Sequence, residues 1–319
     1  MIDSGVRIGI IGFGNIGKKR FEALSSITKF KKEIVYIVDK KKPTVALGNI
    51  KHYFDWKQIL KINVDLIIIS TPTNVSEVIA VNLSGKFNLL IEKPLSANID
   101  KLKKIILQSN NGKKLLKVGY NLRFDNGLIK AKKFLLEKKI GKIYYCKITY
   151  ANGSAITNKN KIGSLLDIGT HSLNLLQWIF SESKLKIISS CSQKNEFFKK
   201  KKTDNGLLIL SSKKIQILLH HGFCSWKNKF ELEIIGSKGF VQVNSLPKWK
   251  IGQEVSLGMR TYPDGIPNIK KWIYKFDCSW KNELEYVFDI IKNKKRALLL
   301  FRKINNESYN TLSLIKNII

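Results

Sequence analysis

The chain has 319 residues and 44% hydrophobic content, enough for two globular domains with substantial cores, which excludes a disordered or fibrous chain. Its formal net charge of +33 raises nucleic-acid binding as a class. Yet only Arg7, Arg20, Arg123, Arg260, Arg296 and Arg302 are arginines, and the lysines are scattered among many Ile and Asn, as an A/T-rich genome would leave them, so no specific nucleic-acid partner is expected.

In chain order, Val6 to Ile11 is a short apolar strand. It runs into Gly12-Phe13-Gly14-Asn15-Ile16-Gly17, after which a helical pattern continues to about Thr28. This is G-x-G-x-x-G in its required context, strand before and helix after. Gly12 permits the tight turn, Gly14 lets the backbone approach a pyrophosphate, and Gly17 lets the helix pack closely on the strand. The helix N-terminus offers N–H groups and partial positive charge to the phosphates. A second strand, Ile34 to Val38, closes with Asp39, roughly twenty residues past the glycines, where an acid accepts hydrogen bonds from the adenosine ribose. A carboxylate there repels a 2′-phosphate, which favours NAD, while Lys40, Lys41 and Lys42 keep NADP as the alternative.

The alternation continues with a short helix over Asp55 to Lys61, a strand over Asp65 to Ser70 and the loop Thr71-Pro72-Thr73. A helix spans Asn74 to Ser84, a strand Asn88 to Ile91, a helix Ile99 to Ser109 and a strand Leu115 to Gly119. Strands alternating with helices mean βαβ units and a doubly wound parallel sheet of Rossmann type, so a dinucleotide-binding domain is expected over 1–120. Within it, the apolar Leu89-Leu90-Ile91 ends at Glu92-Lys93-Pro94-Leu95. Pro94 has no N–H for the ladder, so Lys93 stands where strand gives way to loop. Ligands of open α/β sheets bind beyond the carboxyl ends of the strands, which puts a cation of proton-transfer chemistry in the ligand crevice.

Beyond residue 120 the pattern changes. Asn126 to Lys138 reads as a helix, Ile143 to Tyr150 as a strand and, after a loop through Lys161, Ser164 to Phe180 as a long helix. Strands follow over Leu185 to Ser190, Gly206 to Ser211, Ile215 to His220, Phe230 to Ile235 and Phe240 to Val243. The basic run Lys199 to Lys202 reads as a solvated loop between strands. Residues 245–276 carry no firm pattern, and two helices close the chain, over Asn282 to Lys292 and Asn306 to Asn317. The expectation for 121–319 is an α+β domain on a large, open, mostly antiparallel sheet. In the Ser164 to Phe180 helix, Asp167, His171, Asn174 and Trp178 recur at one-face spacing. An Asp one turn before a His can hydrogen-bond the imidazole or share its pocket.

Cys146, Cys191, Cys224 and Cys278 match neither a metal site nor a disulfide framework, so no metal and a reduced, cytoplasmic setting are expected. Met1 leads almost directly into a strand, with no signal peptide and no apolar run of membrane-spanning length, so no membrane partner is expected.

Taken together, Gly12 to Gly17, Ser70-Thr71-Pro72, Glu92-Lys93-Pro94-Leu95, Gly119-Tyr120-Asn121-Leu122-Arg123-Phe124, Asp167-Ile168-Gly169-Thr170-His171 and Glu233-Ile234-Ile235-Gly236-Ser237-Lys238-Gly239 resemble the glucose–fructose oxidoreductase and inositol dehydrogenase (Gfo/Idh/MocA) family. The resemblance covers nearly the whole chain. It implies an NAD(P)-dependent enzyme, homodimeric or homotetrameric, with substrate between the domains. It also implies cofactor contacts from Gly12, Phe13, Gly14, Asn15, Ile16, Gly17, Asp39, Ser70, Thr71, Pro72, Glu92 and Lys93. Lys93 and His171 are then the proton-transfer groups, with Asp167 beside them, and Tyr120, Asn121 and Arg123 join these three around the substrate. Ser76 departs from the family, many members of which carry a His four residues after the Pro of the Thr-Pro loop. The reaction expected is hydride transfer between nicotinamide and a secondary alcohol carbon of a sugar, nucleotide-sugar or cyclitol. Two other readings are a redox-neutral glycosidase that uses NAD transiently and a non-catalytic ligand-sensing regulator of the same shape.

Overall fold

The computed structural model describes residues 5–44, 47–154, 162–181, 184–194, 203–262 and 265–318, with backbone alone over 294–298. The Lys199 to Lys202 run and most of the loop through Lys161 lie outside the described residues. Packing divides the chain into two units, Met1–Asn121 with Trp280–Ser313, and Leu122–Ser279 with Leu314–Ile319. The linear reading assigned everything after residue 120 to one second domain. Here a C-terminal segment returns to the first unit.

The first unit opens with β1 (Val6–Ile11), α1 (Asn15–Ser25), β2 (Lys32–Val38), β3 (Lys51–Tyr53) and β4 (Leu66–Ile69). It continues with α2 (Thr73–Leu83), β5 (Leu89–Ile91), α3 (Ile99–Asn111) and β6 (Leu116–Val118). The six strands form one sheet in the order β3-β2-β1-β4-β5-β6, with every pair parallel. The order reverses direction at β1, which is the switch point of a doubly wound sheet and opens the ligand crevice at its strand ends. Leu66, Ile67, Ile68 and Ile69 of β4 are all fully buried. Such two-sided burial explains why these strands read as unbroken apolar runs. The edge strand β3 was not foreseen, because its three residues, one exposed and two half-buried, carry no period.

The second unit contains α4 (Asn126–Leu136), β7 (Ile143–Ala151), a π-helical turn over Leu165–Gly169 and α5 (Thr170–Ile179). The strands β8 (Leu185–Gln193), β9 (Asn205–Ser212), β10 (Ile215–Gly222), β11 (Lys229–Gly236), β12 (Gly239–Asn244), β13 (Gln253–Met259) and β14 (Asn268–Tyr274) follow. One eight-stranded sheet runs β14-β13-β12-β11-β7-β10-β9-β8. Only β7 and β10 pair in parallel. The region left unassigned by sequence therefore supplies β13 and β14. Adjacent Lys270 and Lys271 break the alternation of the edge strand β14, whose residues are mostly exposed. Inward-facing Cys146, Ile148, Leu208, Leu210, Ile217, Leu219, Leu232 and Ile234 are buried, and α4 and the π turn pack against the sheet. The opposite face exposes Leu207, Ile209, Ile235, Ile269 and Ile273.

Three helices close the chain: α6 (Ser279–Lys292), α7 (Lys294–Asn305) and α8 (Glu307–Leu314). Leu284, Val287 and Phe288 recur at helical spacing and join Phe301 and Ile304 in the same core as Ile8, Ile10, Leu66 and Leu90. The additional helix α7 was not foreseen, since its apolar residues are flanked on both sides by lysine and arginine.

Candidate active site

In the first unit, β1 delivers the chain to Gly12, which holds φ +88°, where a Cβ would stand 2.8 Å from the Ser70 carbonyl carbon. A Cβ on Gly17 would collide with the Gly12 carbonyl oxygen. Both positions therefore require glycine for the fold itself. Around a Cβ built on Gly14 there is nothing within 4 Å, so the turn leaves open backbone there for a group to lie against. α1 then begins with no side-chain cap and no acidic residue in its first turn. Uncapped N–H groups at the positive end of the helix dipole suit phosphate oxygens.

Asp39 closes the far side of this cradle. Its Oδ2 accepts from Phe13 N at 2.6 Å and its Oδ1 from Lys41 N at 2.9 Å. The carboxylate thus ties the glycine turn to the end of β2 while keeping lone pairs for ribose hydroxyls. At the end of β4, Ser70 Oγ is buried with no hydrogen-bond partner among the described residues, the kind of orphan that a ligand satisfies. Ser76 Oγ donates to the Thr71 oxygen at 2.9 Å and lies 2.8 Å from Thr71 Oγ1. It closes the Thr-Pro loop on itself, where the family's His would project a ring. The cradle, the uncapped helix and the placed carboxylate fit a dinucleotide.

Glu92 follows β5, and its Oε1 accepts from Arg20 Nε at 2.8 Å and Nη2 at 2.6 Å. Arg20 Nη1 donates to Glu283 Oε2 at 2.8 Å, and the guanidinium lies 4.4 Å from the Trp280 ring centroid. Lys117 Nζ stands 3.5 Å from Glu283 Oε1. The side chains of Arg20, Lys117 and Glu283 are fully buried. Desolvation pulls the Arg20 pKa down, but Glu92 and Glu283 outweigh it and hold it above its ordinary value. A Cβ on Gly119 would come within 2.7 Å of Arg20 Nη2, which explains the glycine after β6. Glu92, expected among the cofactor contacts, places its Oε1 on Arg20. Lys93 is half-buried and is followed by buried Pro94, Leu95 and Ser96. Ser96 Oγ donates to Glu77 Oε2 at 2.6 Å. The lysine backbone is thus pinned on both sides. Past β6, Tyr120, Asn121 and Arg123 are buried, with the Arg123 guanidinium 5.3 Å from the Phe124 ring centroid.

In the second unit, the helix expected over Ser164 to Phe180 opens instead as the π turn that carries Asp167. Such turns insert a residue into the helix and recur at functional sites. Asp167 is half-buried, whereas His171 and Asn174 are buried. Beneath them, Gly206, His221, Tyr150 and Phe230 stand opposite one another across β9, β10, β7 and β11. His221 Nδ1 lies 2.9 Å from Ser164 Oγ, at the start of the π turn. Burial, aided by neighbouring His220, pushes the His221 pKa down to about 3, so its ring is neutral. Tyr150 packs its ring 6.2 Å from His171 and, edge-on, 5.8 Å from Phe230. Trp249 adds a third ring 6.2 Å from Tyr150, and Lys248 Nζ donates to Tyr150 Oη at 2.6 Å.

The sequence reading missed Arg20, Glu283, Lys117, His221, Tyr150, Lys248 and Trp249. A signal existed for three of them: Arg20, Lys117 and Glu283 occupy positions where the helix and strand periods call for apolar residues. Among the described residues no cluster of His, Cys, Asp and Glu has the arrangement of a metal site, and the cysteines are unbridged. No described helix is long and apolar enough to cross a membrane.

Comparison with known proteins places these features. Residues 6–120 match the sequence model described as the oxidoreductase family with NAD-binding Rossmann fold, and residues 128–242 match the GFO/IDH/MocA C-terminal domain. The chain is 22% identical over 298 residues to an inositol 2-dehydrogenase/D-chiro-inositol 3-dehydrogenase of Shouchella clausii, covering 89% of this chain and 83% of the relative. It is 26% identical over 250 residues to a myo-inositol 2-dehydrogenase of Thermotoga maritima, covering 73% and 74%. Among solved structures, an aldose-aldose oxidoreductase of Caulobacter crescentus superposes with TM-score 0.80 at 15% identity, over 99% of this chain and 96% of that one. A 3-ketoreductase of Actinomadura kijaniata, solved with NADP, gives TM-score 0.78 at 15% identity over 98% and 96%. With its glycine cradle in the first matched segment and its π turn in the second, the chain belongs to the Gfo/Idh/MocA family of NAD(P)-dependent oxidoreductases.

Proposed function

We propose that this protein oxidises a secondary alcohol of a cyclitol, sugar or nucleotide-linked sugar, or reduces the corresponding ketone, with NAD as the preferred cofactor. The observation that carries the reading is Lys93 at the carboxyl end of β5, in the same sheet whose β1 ends in the glycine cradle. The names of the inositol dehydrogenase relatives support a cyclitol. Gly12 to Gly17, Asp39 and Ser70 to Pro72 would hold the dinucleotide, whose nicotinamide accepts or supplies hydride when bound. The protein's own task is to orient the alcohol and to move its hydroxyl proton. Lys93 and His171 serve as that pair, one exchanging the proton and the other polarising the oxygen, with Asp167 orienting His171. Tyr120, Asn121 and Arg123 contribute to the substrate site, Arg123 suiting a carboxylate or phosphate. The outward apolar face of the second sheet supports association with a second copy of the chain, and the scattered lysines support no specific nucleic-acid partner.

Absorbance of reduced nicotinamide, followed during a screen of myo-inositol, D-chiro-inositol, D-glucose and D-xylose, tests the reading. Net NADH formation with at least one of them is expected, with NAD bound more tightly than NADP because of Asp39. Cleavage of an aryl glycoside without net NADH would replace the dehydrogenase by a redox-neutral glycosidase. NADP bound at least as tightly as NAD would remove the role given to Asp39.

A further inference from the structure

Lys248 breaks the usual habit of an exposed lysine. Such side chains lay their stem on the surface and extend the ammonium into water. Lys248 is exposed as a residue, yet its ammonium turns inward to Tyr150 Oη at 2.6 Å. It meets Tyr150 at the hydroxyl edge of the ring, and lies 5.6 Å from the ring centroid of Trp249. An ammonium has three donors, and among the described residues only Tyr150 accepts from this one. Two donors therefore remain for a ligand or water. Desolvation alone would pull the Lys248 pKa down, but Tyr150 and the carboxylates of Asp277 and Asp167 outweigh it, so the side chain stays charged.

The backbone that delivers Lys248 is strained. Between β12 and β13 the chain makes one turn of 3-10 helix over Pro247–Trp249, flanked by Ser245 at φ 69° and Lys250 at φ 64°. Left-handed conformations outside glycine persist where the surroundings over-determine them, and they gather at ligand clamps. The base of the loop is fixed by Ser245 N donating to the Phe230 oxygen at 2.8 Å. Phe230 stands beside Tyr150 in the row beneath His171. A strained loop thus places a cation and an indole against the ring that touches His171.

We propose that Tyr150, Lys248 and Trp249 form a substrate subsite for a polyol ring, in which Lys248 and the Tyr150 hydroxyl bond ring hydroxyls and Trp249 faces the C–H surface. This rests on the polyol reading of the function and adds contacts on the second unit that the family motifs do not include. A cyclitol or pyranose offers alternating hydroxyl edges and apolar faces, the complement of an ammonium, a phenol and an indole in one cluster. An anionic substrate is not required, since a hydroxyl oxygen accepts from an ammonium.

The test uses the full chain with NADH bound, so that binding is read without turnover. Calorimetric titration with myo-inositol, D-chiro-inositol, D-glucose and D-xylose identifies the tightest polyol for the wild type. Lys248→Met is expected to weaken that polyol about 10–100-fold, the scale of a hydrogen bond to a charged group, and Tyr150→Phe about 3–10-fold. Lys248→Arg is expected to recover part of the loss. The affinity for NADH should stay unchanged in all three. Where the wild type turns the polyol over, Lys248→Met should raise KM on the same scale with kcat within about threefold. Wild-type affinity retained in Lys248→Met, a fall in kcat at unchanged KM, or a wild type that binds none of the four polyols would each overturn the subsite. A wild type that binds a polyol without reducing NAD would overturn the dehydrogenase reading instead, and the Lys248→Met titration would still decide the subsite.

Discussion

In the first unit the carboxyl end of β5 is set by charge: Glu92, Arg20, Glu283 and Lys117 pair with one another, three of them fully buried. In the second unit the π turn and the His171 that follows it rest on uncharged groups, the Ser164–His221 hydrogen bond and the rings of Tyr150, Phe230 and Trp249, with Lys248 the one cation bonded to that bed among the described residues. The contrast teaches where each unit is fragile. Charges removed from water hold only while every partner is present, whereas a neutral aromatic bed loses area gradually when one ring is trimmed. It also assigns the two units different responses to pH, since only the second relies on a histidine that must stay neutral.

The largest expected effect breaks the charged side of this contrast. Glu283→Ala leaves Arg20 and Lys117 buried with too few anions, and should cost about 3–5 kcal/mol by urea unfolding. The surface pair Lys29–Asp289, with both side chains more than half exposed, sets the scale from below: Asp289→Ala should cost less than about 0.5 kcal/mol. Equal losses for the two variants would show that burial of the network carries no special weight.

Next in size is the glycine turn. Gly17→Ala drives a methyl against the Gly12 carbonyl and should cost about 2–3 kcal/mol together with most of the NAD affinity. Gly14→Ala meets open space, so it should fold as the wild type does and lose only cofactor affinity. A Gly14 variant that unfolds would mean the turn is held for stability and not for a ligand.

This pair also shows what was legible. Gly12, Gly14 and Gly17 could be read because a turn that admits no Cβ leaves one residue type, and Lys93 because Pro94 marks the strand end. Arg20 and Glu283 stand at apolar positions of their helices, which marks them as buried, but their pairing was not read because it spans 263 positions and no local period says which buried charge meets which. Nor was the bed under His171. Tyr150 and His221 follow from which strands become neighbours, and Lys248 and Trp249 arrive on a loop whose strained backbone has no sequence pattern. The doubly wound sheet was legible except at its edge strand β3, because its central strands are buried on both faces. The return of α6 and α7 to the first unit was not, because an amphipathic helix does not say which core it will cover.

The smaller expected effects sharpen the pH contrast. Burial holds the folded His221 pKa at about 3 against an ordinary 6.5, so the unfolded chain binds the proton more readily. The stability from His221 is therefore present above pH 6.5 and lost as pH falls, at up to about 1.4 kcal/mol per unit. Asp125, whose pKa burial pushes up to about 6 from 3.8, acts in the opposite sense. Its contribution is greatest below its ordinary value and is lost as pH rises through 6. Asp125→Asn should therefore steepen the loss of thermal stability between pH 6.5 and 5, and His221→Asn should make stability rise over that interval. Parallel curves for wild type and both variants would contradict the assignment.

The measurement closest to the central claim is turnover by Lys93→Met. Fluorescence titration should show NAD bound as in the wild type, because the glycine cradle and Asp39 remain. Turnover of the best polyol should fall about 10²–10⁴-fold, the scale of losing a positioned proton-transfer group, with His171→Ala similar and the double variant less than additive. Normal turnover in Lys93→Met would contradict the account, since the proton would then leave by a route without this lysine.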